Sequence, residues 1–260
     1  MEHRFKLIVS YDGTDFFGWQ HSQKDLATIE ATLSAALEKI FNQPLKLEAA
    51  SRTDAGVHAQ GQVVCFSVKG STITTGQLQL SLNQMLPRSI RVFHVDVCAL
   101  DFYPSIHVLK KSYQYHITTG PYHHPFDRFY SWHILSPLCL KSIKAAMPHF
   151  LGTHDFTAFV NQGNTPYANH TRTLFDLSLE QTGPQKYTFN VCGDSFMYKM
   201  VRNIVGTLVH VGKKRIDPEN IPAIIAGKNR VDGGETAPAQ GLFLQKVYYK
   251  QHAITEGITL

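Results

Sequence analysis

At 260 residues, with 25 Lys and Arg against 20 Asp and Glu, the chain carries a formal charge of +5 when histidine is neutral. Hydrophobic residues make up 43% and charged residues 17%, which excludes collagen-like and disordered compositions. The length suits one large or two modest domains.

No apolar run approaches the ~18 residues that suggest a membrane span, because Met200–Val211 is interrupted by Arg202, Asn203 and His210. The opening Met1-Glu2-His3-Arg4 runs straight into a strand-like pattern without the marks of a secretory signal, so the cytoplasm is the expected location. Cys65, Cys98, Cys139 and Cys192 form no Cys-x-x-Cys pair, and buried free thiols are expected, not a disulfide framework or zinc cluster. The histidines contain no His-Glu-x-x-His, and His123-His124 sits in loop chemistry between Tyr122 and Pro125, so no metal is expected.

Arg4–Tyr11 alternates, with Phe5, Leu7 and Val9 on one face, and runs into Asp12-Gly13; a strand and then a turn are predicted. Thr28 is placed to cap a helix whose Ile29, Leu33, Leu37 and Ile40 recur at helical spacing until Asn42 and Pro44. Strands over Leu45–Ala50 and Gln62–Val68 flank the segment Ser51–Ala59. A helix over Thr75–Leu86, ended by Pro87, and a strand over Ile90–Val97 follow. Cys98–Ser105 is the expected boundary between domains 1–104 and 105–260. Beyond it the pattern predicts a strand over Ser112–Thr118, a helix over Leu138–Leu151, and strands near Phe175–Glu180 and Tyr187–Cys192. A strong helix from about Phe196 to Val211 buries Phe196, Met200, Ile204, Leu208 and Val211, and Gly241–Tyr249 closes the chain as a strand. Strands so irregularly alternated with helices favour α+β over a doubly wound parallel sheet.

Three segments could carry chemistry. In Ser51-Arg52-Thr53-Asp54-Ala55-Gly56-Val57-His58, a carboxylate sits in a connection between two strands, where sites tend to lie; an Asx or Thr turn would use the same residues. In the last strong helix, Arg202 and Asn203 fall at the edge of the apolar stripe. A buried guanidinium there would need an anion, whereas a snorkelling one would not. Lys110-Lys111 leads into a strand that puts Tyr113 and Tyr115 on one face, which suits stacking on unpaired bases beside phosphates, or simply packing on a helix. The basic balance permits a nucleic-acid partner. Nothing resembles a phosphate-cradling glycine loop.

Taken in order, Tyr11-Asp12-Gly13-Thr14 with Gly18-Trp19-Gln20, Arg52 to His58, Leu82-Asn83 with Leu86-Pro87, Gly152-Thr153-His154-Asp155-Phe156, Met200 to Gly206, and Gly241-Leu242 resemble the TruA family of tRNA pseudouridine synthases over nearly the whole chain. The resemblance implies two α+β halves of mixed or antiparallel sheet backed by helices, related by a pseudo-two-fold and meeting at a central basic cleft. It implies a cofactor-free isomerase that converts uridine to pseudouridine on the 3′ side of the anticodon stem-loop of transfer RNA, working as a homodimer. Asp54 matches the family's catalytic aspartate, Arg202 the arginine that pairs with it, Tyr113 the tyrosine that packs on the target base, and Arg52 the arginine associated with the flipped nucleotide. Lys110 and Lys111 are expected to grip the RNA beside them.

Departures accompany these matches. Ser105 stands where the family usually has an arginine, Val160 where an arginine is frequent, and Glu30 where a glutamine is common. An RNA-binding protein or folding chaperone that keeps the cleft but turns over poorly has no need of a costly buried ion pair. A hydrolase using Asp54 would want a second carboxylate, which no motif supplies.

Overall fold

Alternating Phe5, Leu7 and Val9 build β1 (Glu2–Tyr11) and are fully buried, at the centre of the first of two compact units. The computed structural model describes residues 2–20, 26–163 and 167–250. The first unit runs to Lys110 and resumes at Leu244; the second is Lys111–Phe243.

In the first unit β1 pairs antiparallel with β3 (His58–Lys69) and β4 (Ile90–Cys98), and the short β2 (Glu48–Ala49) lies along β3. Helix α1 (Ile29–Phe41) starts where predicted: the Thr28 hydroxyl accepts from Ala31 N at 3.2 Å, and Asn42 ends it in the left-handed region at φ 50°. Its last residue, Phe41, joins Phe5 and Phe66 in an aromatic cluster that fastens the helix to the β1–β3 face. Helix α2 (Thr75–Met85) opens with a reciprocal Thr74–Gln77 cap. Its Asn83 serves the sheet: the side chain donates to Val92 O at 2.8 Å and accepts from Val92 N at 2.9 Å. The β1–β4 register slips beside this point, between Ile8 and Val9, so Asn83 satisfies backbone groups at an irregularity in the ladder. The second face of β1 is covered too. Buried Arg4 donates to Phe102 O at 2.8 Å and buried Lys6 lies 3.0 Å from Asp96.

In the second unit β5 (Val108–Thr119), from Lys111 onward, pairs antiparallel with β9 (Lys186–Gly193) and parallel with β6 (Trp132–Ile134). β9 pairs with β8 (Thr171–Gly183), and β8 with β7 (Gly152–Asp155). Helices α3 (Leu140–Ala146), α4 (Met200–Gly212) and α5 (Ile221–Gly227) complete it, with α3 packed on α4. The closing strand β10 (Leu242–Tyr249) agrees with its prediction, and from Leu244 it lies beside β3 in the first unit. The architecture is α+β, with mixed sheet backed by helices.

Four expectations need correction. The predicted strand over Leu45–Ala50 shrinks to Glu48–Ala49. The predicted helix over Leu138–Leu151 is α-helical only to Ala146 and continues as a 3-10 turn over Met147–Phe150, because Pro148 has no N–H for the α-helical ladder. The strong helix begins at Met200, four residues later than predicted, since Lys199 adopts φ 61° and Phe196 stays in the preceding loop. That helix is also buried nearly all round, with only Arg202 and His210 partly exposed, so its apolar stripe understates its burial. Cys65 and Cys98 are buried, Cys139 and Cys192 half-buried, and all four are free thiols. Among the described residues, no helix is long and apolar enough to cross a membrane, and no three His, Cys, Asp or Glu side chains gather as a metal set.

Candidate active site

The loop carrying Asp54 is held from several directions by the first unit's own core. The Tyr11 hydroxyl lies 2.8 Å from the Thr53 hydroxyl, and Trp19 N donates to Thr53 O at 3.0 Å. Gln62, fully buried on β3, donates to Ser51 O at 2.6 Å and accepts from Ser51 N at 3.2 Å. Val57 N closes the turn on Asp54 O at 3.1 Å, and Gly56 N reaches Phe16 O at 3.3 Å. Gly18 is required here: its φ is +82°, and a Cβ on it would stand 2.6 Å from Thr53 O. The two motifs near the N-terminus, Tyr11–Thr14 and Gly18–Gln20, thus form the cradle of the loop. Asp54 itself is half-buried on this rigid support, while Arg52 is exposed. Arg52 has an acidic neighbour in Glu30 of α1. Burial pushes the Glu30 carboxyl up, and the Arg52 cation and a hydrogen bond from Gln20 pull it back.

Along β5, strand alternation separates the two lysines. Lys111, Tyr113, Tyr115 and Ile117 share the buried face of β5, whereas Lys110 is exposed, with its ammonium 4.8 Å from the centre of the Tyr248 ring. Burial pulls the Lys111 amine down to about 8. Tyr113 is 6% exposed and meets Phe196 edge-to-face at 5.1 Å. Tyr115 is fully buried and donates to Pro238 O at 2.7 Å. Burial pushes its phenol up, with the Arg202 cation opposing and the Glu235 carboxylate adding, so Arg202 lies close enough to Tyr115 to be felt electrostatically.

Arg202 is half-buried on α4 and grips the irregular segment Gly234–Pro238: its Nε donates to Ala237 O at 2.7 Å, and Ala237 N donates to Arg202 O at 3.1 Å. Gly206, one turn further, makes the approach possible, since a Cβ there would lie 1.7 Å from Glu235 O. Asn203, also fully buried, donates to Phe159 O at 2.7 Å and to Asn161 Oδ1 at 2.8 Å, so the helix string Arg202–Gly206 is a packing device as much as a chemical one. Asp155 is held within the fold: it accepts from Thr157 N at 3.0 Å and meets Lys228 Nζ at 2.7 Å, which holds its carboxyl down at about 2. Of the departures, Ser105 is exposed and Val160 half-buried. Sequence reasoning missed the segment 234–238 and Arg230. The Gly233-Gly234 pair followed by Pro238 was the available sign of a tightly apposed irregular stretch.

The pattern of the tRNA pseudouridine synthase family matches residues 7–104 and 146–250. These stretches hold Arg52, Asp54 and Arg202; Tyr113 and the two lysines fall between them. The chain belongs to this family and is an isomerase. It is 40% identical over 245 residues to tRNA pseudouridine synthase A 2 of Protochlamydia amoebophila, covering 94% of this chain and 93% of that one. It is 39% identical to tRNA pseudouridine synthase A of Moorella thermoacetica, over 94% and 98% of the two chains, and 36% identical to that of Thermotoga neapolitana, over 95% and 99%. Among solved structures it is similar, at 12% identity and a TM-score of 0.37, to a chain of an H/ACA RNP bound to a substrate RNA containing 2'-deoxyuridine, covering 80% of this chain and 42% of that one. A likeness of that size carries no argument about function.

Proposed function

We propose that the protein converts uridine to pseudouridine on the 3′ side of the anticodon stem-loop of transfer RNA, with Asp54 as the reacting carboxylate. The reaction breaks the N1–C1′ bond of the nucleotide and joins C5 to C1′; C5 then loses its proton and N1 gains one. An ionised Asp54 either attacks the sugar as a nucleophile or removes a sugar proton to leave a glycal. Arg202 is the cation that keeps Asp54 ionised. Tyr113 provides the wall that retains the detached uracil, and Arg52, with Lys110 and Lys111, binds the RNA around the flipped nucleotide. The working form in this reading is a cytoplasmic homodimer, with one RNA touching both subunits.

The observation that carries the reading is the Asp54 loop: a half-buried carboxylate whose flanking residues are tied to Tyr11, Trp19, Phe16 and Gln62. Such anchoring holds a reacting group in place while a base is extruded and rotated.

Asp54→Asn keeps the shape and removes the reactive oxygen. Isomerisation is expected to vanish while transfer RNA binding survives, because most phosphate contacts lie outside the pocket and one negative charge fewer favours an anionic ligand. Tritium release from RNA labelled at C5 of uracil, run beside a gel-shift assay, measures both. Turnover above background would remove Asp54 from the reaction, and retained binding with full turnover would leave only an RNA-binding role for the loop.

A further inference from the structure

Segment 234–238 belongs to no helix or strand, so nothing in a regular ladder fixes its backbone. It nevertheless carries two contacts that matter: Ala237 O receives the Arg202 Nε, and Pro238 O receives the Tyr115 hydroxyl. Besides the bond from Ala237 N to Arg202 O, what fixes the segment is Arg230. Its Nη1 donates to Gly234 O at 2.8 Å, and its Nη2 donates to Thr236 Oγ1 at 3.1 Å and to Asn203 Oδ1 at 2.9 Å. Thr236 Oγ1 also donates to Asn203 Oδ1 at 2.7 Å, and Gly234 N donates to Thr207 Oγ1 at 2.9 Å. With its amide nitrogen committed to Phe159 O and Asn161 Oδ1, Asn203 has a single orientation and presents its oxygen to this network. Every acceptor of Arg230 in the network is neutral: a carbonyl, a hydroxyl and an amide. A planar fork with fixed donors can bridge three such acceptors at once, which the flexible point charge of a lysine cannot do.

We propose that Arg230 is a positioning residue for the isomerisation: it locks segment 234–238 onto α4, so that the Ala237 carbonyl holds the Arg202 guanidinium in its working orientation. This rests on the reading of Arg202 as the cation facing Asp54. A guanidinium pinned through Nε keeps the planes of its two terminal nitrogens fixed, and an error of about 1 Å at a reacting site can cost ~100-fold in rate.

The test is a double-mutant cycle read in single-turnover rate, with transfer RNA affinity measured in parallel. Arg230→Met keeps the bulk and removes the donors. In the otherwise native protein it is expected to lower the rate about 10- to 100-fold with affinity changed less than about twofold. Arg202→Lys keeps a cation but has no Nε to hold, so in that background Arg230→Met should cost less than about twofold. Equal losses in both backgrounds would overturn the proposal while leaving Arg202 in its role. Arg202→Lys with full activity would instead sink the reading of Arg202, and the proposal with it. A second readout needs no turnover: the Arg202 Nε–H resonance in arginine-labelled protein should shift and lose exchange protection in Arg230→Met, and an unchanged signal would also overturn the proposal. Thr236→Val, which breaks the network at its milder link, serves the same cycle and the same resonance if Arg230→Met fails to fold.

Discussion

Lys111 and Tyr113 show how neighbours on one strand come to different ends. Tyr113 packs on Phe196 at 5.1 Å and is nearly covered, so its ring serves the core, beside the wall for the target base that the proposed function gives it. Tyr113→Phe is expected to keep most of that packing and much of the activity. Tyr113→Ala should reduce turnover severely and also cost about 3 to 5 kcal/mol of stability, as truncation of a buried aromatic does. Turnover and urea midpoint measured on both variants check this, and normal turnover in the alanine variant would make Tyr113 a core residue only. Lys111 is buried with its amine down at about 8, against an unfolded value near 10.4. Below pH 8 both states are protonated, and folding bears the cost of burying the charge, roughly 3 kcal/mol for the fall from about 10.4 to about 8. Between pH 8 and 10.4 the unfolded chain binds more protons, so stability rises with pH. Lys111→Met should therefore lack this rise, so that the native protein gains stability relative to it between pH 8 and 10.5. Urea midpoints of both proteins at the two pH values measure this, and a difference that stays constant with pH would mean that the Lys111 amine does not titrate in this range. The sequence showed Lys110-Lys111 as one basic pair because adjacency is all it displays; the pleat sends the two to opposite faces.

At the scale of elements, α1, α2 and β1 were legible because each depends on neighbours within four residues. Thr28 caps, Asn42 stops, and alternation marks a strand wherever the chain is read. Helix α4 was harder. Its start depends on the left-handed turn at Lys199, and its burial nearly all round comes from partners distant in sequence, among them the irregular segment reached through Arg202 and Gly206. In an exposed helix Gly→Ala is favourable by about 1 kcal/mol. At Gly206 the sign reverses, because the added methyl would lie 1.7 Å from Glu235 O and must push the segment away. Gly206→Ala is expected to destabilise by more than about 2 kcal/mol and to lower turnover by releasing Ala237 from Arg202. Denaturant midpoints and single-turnover rates test it, and a neutral or stabilising result would show that the segment yields freely. Asn83 teaches a related lesson. As the second residue of Leu82-Asn83 it looks like a chemical motif, yet its amide is committed in both directions to Val92.

For the whole molecule, the net charge of +5 leads to an electrostatic prediction. An enzyme that grips a folded RNA while acting on one nucleotide should bind mostly through phosphates. Its logarithmic affinity should then fall with the logarithm of salt with a slope of about −3 or steeper. Binding of transfer RNA across a salt series measures the slope, and a flat response would count against phosphate gripping. By itself the sequence determined the family, the α+β class, most strands and helices, and Asp54, Tyr113 and Arg202 as candidates, because periodicity, capping and short motifs are local and survive in the linear text. Only the tertiary structure decided that Tyr11, Trp19 and Gln62 hold the Asp54 loop, that Lys111 is buried while Lys110 is not, and that Arg230 reaches Asn203 across 27 residues of chain. The physical reason is that buried polar groups must be satisfied by whichever groups packing brings to them, and sequence distance places no limit on that choice.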